Sequence, residues 1–268
     1  IMFGAGPLMD AFLVAFKIPN FLRRLTAEGA FSQAFVPVIS EYKVQREHAG
    51  VRDLVARVSG VFGIVLFVIT AVGVVIAPAL AFLFAPGFHA KGDQIDLTVE
   101  MLRFTFPYIF FITVVSARSG VLNNYGKFGV PAFNQTLLNI VMIVAAGVIA
   151  PHFPKPGVVL AIGVFAAGIL QLVAQFPALH RLGLLPRPRW DRTHEGVRRI
   201  ARLMLPGIFG SSVAQVSLLL DTIIASFLMV GSVTCLYSAG RLVDFRMGVF
   251  SIALATVILP GLSSHHAE

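Results

Sequence analysis

Long runs without any charged residue constrain this chain more than any other feature. After Arg57 the next charged residue or histidine is His89, so residues 58–88 form one uninterrupted apolar run. Residues 128–151 and 156–179 are likewise free of charge and histidine. A helix that crosses the hydrocarbon core of a bilayer needs about 20 apolar residues. Each run is long enough for one such helix, and the sequence therefore predicts an all-α protein that crosses a membrane several times.

The composition excludes a soluble globular protein. Hydrophobic residues make up 57% of the 268 residues. Charged residues make up only 13%, about half the share found in soluble domains. The mean hydropathy is +0.84. The formal net charge of +8 could indicate nucleic acid, but the basic residues lie between the apolar runs, as membrane topology requires, so we expect no nucleic-acid partner.

The apolar runs and the breaks between them predict a transmembrane bundle of about seven spans. We place the spans at 3–42, 58–84, 101–124, 128–151, 156–180, 203–229 and 233–262. The first span is expected to bend near Pro19, and the last two are divided at Gly231-Ser232. The chain begins within apolar sequence and ends just after it, so we expect an internal part of a longer protein.

The loop charges alternate along the chain. Segments 41–57, 118–127 and 181–202 carry an excess of Lys and Arg, and the loops between them do not. The positive-inside rule therefore places these three segments in the cytoplasm. The resulting domains are a first lobe at 1–182 with five spans, a cytoplasmic Arg-rich linker at 183–202 with an amphipathic helix at about 191–202, and the start of a second lobe at 203–268 with two spans.

Charged side chains inside the first span are candidates for function. On insertion scales, placing a charged side chain at the centre of a membrane helix costs at least ~2.5 kcal/mol, so such a residue is expected to have a structural or functional role. The first span contains Asp10, Lys17, Arg23, Arg24 and Glu28. They indicate a polar cavity that receives an anionic substrate. The alternative is that they extend to the membrane interface or pair with one another.

The last two spans carry charges as well. Arg241 and Asp244 are three residues apart and lie on one face of a helix, where they either line the cavity or neutralise each other. Asp221 is alone in its span and could bind a cation, carry a proton or stay protonated. A closed metal site needs several ligands, which neither this carboxylate nor the spacing of the histidines provides. We therefore expect no metal and no cofactor.

Several motifs carry a resemblance to a known family. They include Phe3-Gly4-Ala5-Gly6, Asp10-Ala11-Phe12, Phe16-Lys17-Ile18-Pro19-Asn20, Leu22-Arg23-Arg24, the run from Ala27 to Pro37, Thr105-Phe106-Pro107-Tyr108 and Leu138-Asn139-Ile140. In these motifs the chain resembles the lipid II flippase family MurJ, also called MviN, of the multidrug/oligosaccharidyl-lipid/polysaccharide exporter superfamily.

The resemblance implies fourteen helices in two six-helix lobes plus two further helices, of which this chain would hold about helices two to eight. It implies a multi-pass transporter of the bacterial cytoplasmic (inner) membrane that flips lipid II, the undecaprenyl-diphosphate-linked precursor of peptidoglycan, and not an enzyme. The cavity residues that it carries over are Asp10, Arg23, Glu28 and Arg241. Gly240 stands where many relatives have an acid, and Asp221 resembles a carboxylate that binds sodium in some relatives.

Two other functions stay open on the sequence. One is a flippase for another polyprenyl-linked glycan. The other is an intramembrane prenyl-diphosphate enzyme, which would need clustered acids or a nucleophile with its base, whereas the acids here are scattered. Arginine suits a diphosphate because its planar fork donates two parallel hydrogen bonds and stays charged. The expected partners are lipid II, membrane lipids and a coupling cation. The predicted substrate site comprises Asp10, Arg23, Arg24, Glu28, Arg241 and Asp244, with Asp221 as the ion-coupling candidate.

Overall fold

All regular secondary structure in the described part of the chain is helical. The structure, a computed structural model, describes residues 4–185, 187–246 and 248, without the side chains of residues 26–29, 211, 213 and 214. The α-helices are α1 (Pro7–Arg23), α2 (Ser32–Gln45), α3 (Glu47–Val75), α4 (Ala77–Phe84), α5 (Gln94–Thr105), α6 (Tyr108–Asn124), α7 (Gly129–Val144), α8 (Pro156–Arg181), α9 (Glu195–Phe227) and α10 (232–246). The predicted all-α membrane bundle is confirmed.

Four helical segments of the described part are long and apolar enough to cross a membrane. They are Glu47–Val75, Gln94–Asn124, Gly129–His152 and Pro156–Arg181. A fifth is α9, if its two halves, which meet at 50°, form one span. The prediction of seven is larger because it also counts the charged first helix and the span at 233–262, which extends beyond the described residues. The count of seven stays a prediction.

The first helix is continuous over residues 7–45, but its middle is a π-helix. α1 runs through Pro19, the expected site of a bend, and the hydrogen-bond pattern changes at the π segment Arg24–Phe31 before α2 begins. Such π segments often occur at functional sites. The π segment packs against α9. The approach is close because α9 presents Gly207, where a Cβ would lie 3.0 Å from the Cα of Ala30.

Two hydrophobic cores hold the helices together. The larger core surrounds α1, which packs against α5, α6 and α8 and buries Ala11, Val14 and Ile18 completely. The second core joins α2 and α3, through Leu184 and Ile200, to residues 183–202, which we call the interlobe segment. Following the predicted domains, we call the residues before it the first lobe and those after it the second lobe. The segment between the lobes is therefore packed against the first lobe.

Some boundaries differ from the sequence prediction. The predicted loop at 41–57 is almost entirely helical, since only Arg46 separates α2 from α3. The predicted amphipathic helix at 191–202 begins at Glu195 and continues to Phe227. The predicted span at 101–124 starts earlier, at Gln94, and is interrupted at Pro107, whose missing N–H and ring disrupt helical hydrogen bonding. The helices continue through segments that carry charged residues. Hydropathy alone does not locate the ends of such helices.

Candidate functional site

Asp10 is buried where the two lobes meet. Its side chain is 1% exposed and accepts hydrogen bonds from the backbone N–H of Gly231 (2.6 Å) and of Thr234 (2.8 Å). The hydroxyl of Thr234 donates a third, at 2.6 Å. The carboxylate thus caps the N-terminus of α10, where free N–H groups and the helix dipole favour negative charge. In this conformation Asp10 contacts the second lobe and not the arginines predicted beside it.

Three further hydrogen bonds close the same end of the molecule. The backbone N–H of Gly87 donates to the hydroxyl of Ser226 at 3.1 Å. The ammonium of Lys91 donates to the carbonyls of Ser226 and Leu228 at the end of α9. We call these contacts, together with those of Asp10, the closed end. The loop charges predict that this end faces away from the cytoplasm.

Lys17 reaches from the first lobe to the second. Its ammonium donates to the hydroxyl of Thr222 at 3.1 Å and lies 6.0 Å from the centre of the Tyr237 ring. The neighbouring Asp221 attracts it electrostatically, although the Asp221 carboxylate is itself exposed. A lysine inside the protein therefore has a hydroxyl, an aromatic face and a carboxylate around it, all from the second lobe.

Arg241 shares Tyr237 with Lys17. The guanidinium donates to the Tyr237 hydroxyl from Nε (3.1 Å) and from Nη2 (2.9 Å). Its side chain is exposed, as is that of Asp244 one turn further along α10. Tyr237 thus connects a cation of each lobe, and we call Lys17, Asp221, Thr222, Tyr237 and Arg241 the interlobe cluster.

Arg23 lies away from the closed end, at the end of α1. It is half-buried, and its Nε donates to the side-chain oxygen of Asn20 at 3.0 Å. It lines a cavity of about 150 Å³ inside the first lobe, together with residues of α6, α7 and α8. Arg24 is exposed. The side chain of Glu28 lies outside the described part of the structure.

Ion pairs hold the opposite end together. The guanidinium of Arg57 on α3 pairs with Asp53 and with Asp191 of the interlobe segment. Two more pairs, Arg46–Glu195 and Arg199–Glu41, join α2 and its C-terminus to the start of α9. The Thr193 hydroxyl and backbone N–H, with Arg57, hold the pKa of the Asp191 carboxyl below its usual range. We call these contacts the linker end.

The structure brings only some of the predicted site residues together. Arg241 and Asp221 belong to the interlobe cluster, Asp10 caps α10, and Arg23 lines a separate cavity. Sequence reasoning missed Thr222, Tyr237 and Thr234 because it weighed only charged residues inside spans. An uncharged polar residue within a long apolar run is the signal that would have found Thr222.

The described site residues include three cations. Lys17 and Arg241 supply an ammonium and a guanidinium donor beside Tyr237, and Arg23 supplies a second guanidinium at the separate cavity. Among the described residues no group of three or more His, Cys, Asp or Glu side chains is placed to hold a metal ion. Charge-assisted hydrogen bonds from such cations are stronger than those between neutral groups.

Comparisons with known proteins agree on one family. The sequence model of the family described as lipid II flippase MurJ matches residues 1–268. "Probable lipid II flippase MurJ" of Haemophilus influenzae is 46% identical over 277 aligned positions, which cover 100% of this chain and 54% of that protein. "Lipid II flippase MurJ" of Burkholderia cenocepacia is 44% identical, over 99% of this chain and 52% of that protein. The chain thus spans about half the length of the curated relatives it matches.

A solved structure supports the fold. "Lipid II flippase MurJ, inward closed conformation" superposes with a TM-score of 0.80 at 24% sequence identity, over 99% of this chain and 54% of that chain. The likeness extends through both lobes as far as they are described. Because the family model matches every residue of the sequence, the chain belongs to the MurJ family of lipid II flippases.

Proposed function

We propose that this chain is the first lobe and the start of the second lobe of a transporter that flips lipid II across the bacterial inner membrane by alternating access. Membership of the flippase family supports this function. The helices able to cross a membrane support the location. The product of such a step is a peptidoglycan precursor at the outer leaflet, ready for cell-wall biosynthesis.

The observation that carries the proposal is the pair of cations at Tyr237. Lys17 from the first lobe and Arg241 from the second lie on one aromatic side chain. A diphosphate that enters between the lobes beside Tyr237 would be attracted by both cations. The guanidinium suits a diphosphate because it donates two parallel hydrogen bonds. Arg23, Arg24, Glu28 and Asp244 complete the proposed binding site.

The closed end supports a direction of access. Asp10, Lys91 and Ser226 join the lobes at one end through buried or partly buried hydrogen bonds. A substrate therefore enters from the opposite side, which the loop charges assign to the cytoplasm. Release on the other side requires the cap of Asp10 on α10 to open.

Asp221 is the proposed site of ion coupling. Its exposed carboxylate is attracted to Lys17 and belongs to the interlobe cluster. A monovalent cation or a proton at Asp221 would weaken that attraction and thereby release Lys17. Flipping by Asp221→Asn is then expected to lose its dependence on a sodium or proton gradient while lipid II binding is retained.

The proposal is tested by lipid II flipping in proteoliposomes of the full-length protein. Arg23→Ala and Arg241→Ala are expected to abolish transport, because each removes a forked donor to the diphosphate. Lysine at either position keeps the charge but loses the fork, and partial activity is expected. Rates are normalised to the amount of folded protein in the membrane.

Arg187→Ala is the matched control, since this arginine is exposed in the interlobe segment. It is expected to transport normally. Normal flipping by both Arg23→Ala and Arg241→Ala would remove the diphosphate site. Transport of other polyprenyl-linked glycans at the same rate as lipid II would favour a broader flippase.

A further inference from the structure

One membrane-crossing segment of the first lobe is almost uncovered. Only 11% of the most apolar part of Gly129–His152 is buried, against 33% to 56% in the other three segments that can cross a membrane as single helices. Within the described part of the chain α7, the helix of this segment, packs chiefly against α8, with a smaller contact to α6. The described part of the second lobe does not cover it.

The uncovered face of α7 carries polar side chains. Gln135, Thr136 and Asn139 are exposed, and none of their side chains has a hydrogen-bond partner among the described residues. Asn139 lies three residues after Thr136 and four after Gln135, so the three side chains lie on one face of the helix. We call these three residues the polar patch. Ala132, which is also exposed, extends the same face by one turn.

The polar patch lies deep in the membrane segment. Gly129–His152 has 24 residues, which gives a helix of about 36 Å. Asn139 lies ten residues after Gly129, about 15 Å along that helix. The hydrocarbon core of a bilayer holds no water to bond with the two amides and the hydroxyl of the patch. Contact of this face with lipid is therefore unfavourable.

Two neighbouring helices show the opposite arrangement. Between residues 61 and 75 of α3 the one polar residue, Thr70, is buried, and the exposed side chains, such as Val68, are apolar. On α8 Gln171 and Gln175 are buried and donate hydrogen bonds to α7 and α6. On these two helices the faces open to lipid are apolar, and the polar side chains within the apolar runs are turned toward protein. The exposed patch of α7 breaks this rule, which indicates that protein covers it.

We infer that the polar patch is the packing surface for one further membrane-crossing helix of the full-length protein, from the part outside this chain. The chain spans about half the length of its curated relatives, so the same polypeptide can supply such a helix. Ala132 and Thr136 are small residues four apart, a spacing that lets two helix backbones approach closely in a membrane. The amides then bond across the interface to polar side chains of the added helix.

The charge of the patch argues for a helix and against a water-filled path. The patch contains no charged residue, whereas the interlobe cluster holds the cations Lys17 and Arg241. Neutral amides and hydroxyls are typical of contacts between membrane helices. Gln135 also lines the cavity beside Arg23, so the added helix lies next to that cavity.

Photo-cross-linking in the full-length protein tests the inference. The photoreactive residue p-benzoylphenylalanine replaces Asn139 in one variant and Thr136 in a second, and each protein is irradiated in the membrane. Mass spectrometry is expected to find the benzophenone joined to a peptide of the same polypeptide from outside residues 1–268. The control carries the photoreactive residue at Val68, an exposed residue of α3, and is expected to give no such peptide. Thr136 serves where replacing Asn139 lowers the amount of folded protein.

The remaining outcomes would overturn the inference. A product with the mass of two protomers, at a yield that falls when the protein is diluted in lipid, would show that a second copy covers the patch. A product with another protein would assign the patch to that protein. If neither position gives a peptide cross-link, a spin label at Asn139 separates the causes, since collision with oxygen as frequent as at Val68 indicates lipid, and collision with a water-soluble nickel chelate indicates a water-filled path. None of these results depends on whether the protein flips lipid II.

Discussion

The closed end and the linker end hold the molecule together by different chemistry. At the closed end a buried carboxylate receives three short hydrogen bonds from one helix N-terminus. At the linker end exposed or partly exposed ion pairs hold the interlobe segment against α2 and α3. Directional bonds in a dry site are strong, whereas exposed pairs are weakened by water and salt. On the proposed alternating-access mechanism, we therefore expect the closed end to open and close and the linker end to keep its contacts while the lobes move.

The largest effect is expected from Asp10→Ala. The substitution leaves the N–H groups of Gly231 and Thr234 and one hydroxyl without their acceptor, at a cost of about 3 kcal/mol or more. This shifts the balance of closed and open forms by more than about a hundredfold. Spin labels at the exposed residues Ala90 and Met229, in a variant without Cys235, measure the distance across the closed end.

Thr234→Val is the matched control for Asp10→Ala. It removes only the hydroxyl that donates to Asp10 and keeps both backbone N–H donors. A loss of about 1 kcal/mol is expected, with the closed distance still dominant. An unchanged distance distribution in Asp10→Ala would mean that other contacts seal this end.

An intermediate effect is expected where Lys17 meets the second lobe. Lys17→Met and Thr222→Val each remove one partner of a single hydrogen bond. The double-mutant cycle is expected to give a coupling of about 1 kcal/mol in the population of the closed form. A coupling of zero would leave Asp221 and Tyr237 as the groups that hold the lysine.

A smaller effect is expected from Arg57→Ala at the linker end. The guanidinium pairs with Asp53 and Asp191, but all three side chains are partly exposed. Hydrogen exchange of residues 187–194 is expected to accelerate by only about twofold to fivefold. The difference in exchange rate between the variant and the wild type is expected to decrease as salt rises from about 0.05 to about 0.5 M, because mobile ions screen exposed pairs. The same salt change is expected to leave the spin-label distance across the closed end unchanged. A large effect of salt on that distance would contradict the difference between the two ends.

The sequence predicted the membrane bundle, but not the contacts that each charged side chain makes. The length of an apolar run predicts a membrane helix without knowledge of what the helix packs against. The predicted spans 128–151 and 156–180 therefore agree closely with helices of the structure. The partner of Asp10 lies more than 220 residues away, and no periodicity within one helix encodes such a contact.

The helix ends were the least predictable part of the fold. Residues 47–57 are polar enough to read as a loop, yet they form the first turns of α3. They do so because Val51 and Leu54 are fully buried in the second core while the charged side chains point outward. Packing of its apolar face against the core makes such a segment helical. A mean hydropathy over the whole segment does not reveal that face.

The smallest effect is expected from acidification at the linker end, where protonation of Asp191 weakens its contacts. Hydrogen bonds from Thr193 and the pair with Arg57 lower the pKa of Asp191 from 3.8. A carboxyl with a lowered folded pKa stabilises the segment at every pH above its unfolded value, and this stability is lost as the pH falls through the folded value. The contact is therefore constant from about pH 8 to about pH 5 and weakens only below about pH 4.

Trp190 is the single tryptophan of the chain, and its fluorescence reports this step once tryptophans elsewhere in the full-length protein are replaced. Asp191→Asn is expected to abolish the acid transition, and a transition of the same size in this variant would mean that another group of the linker end is responsible.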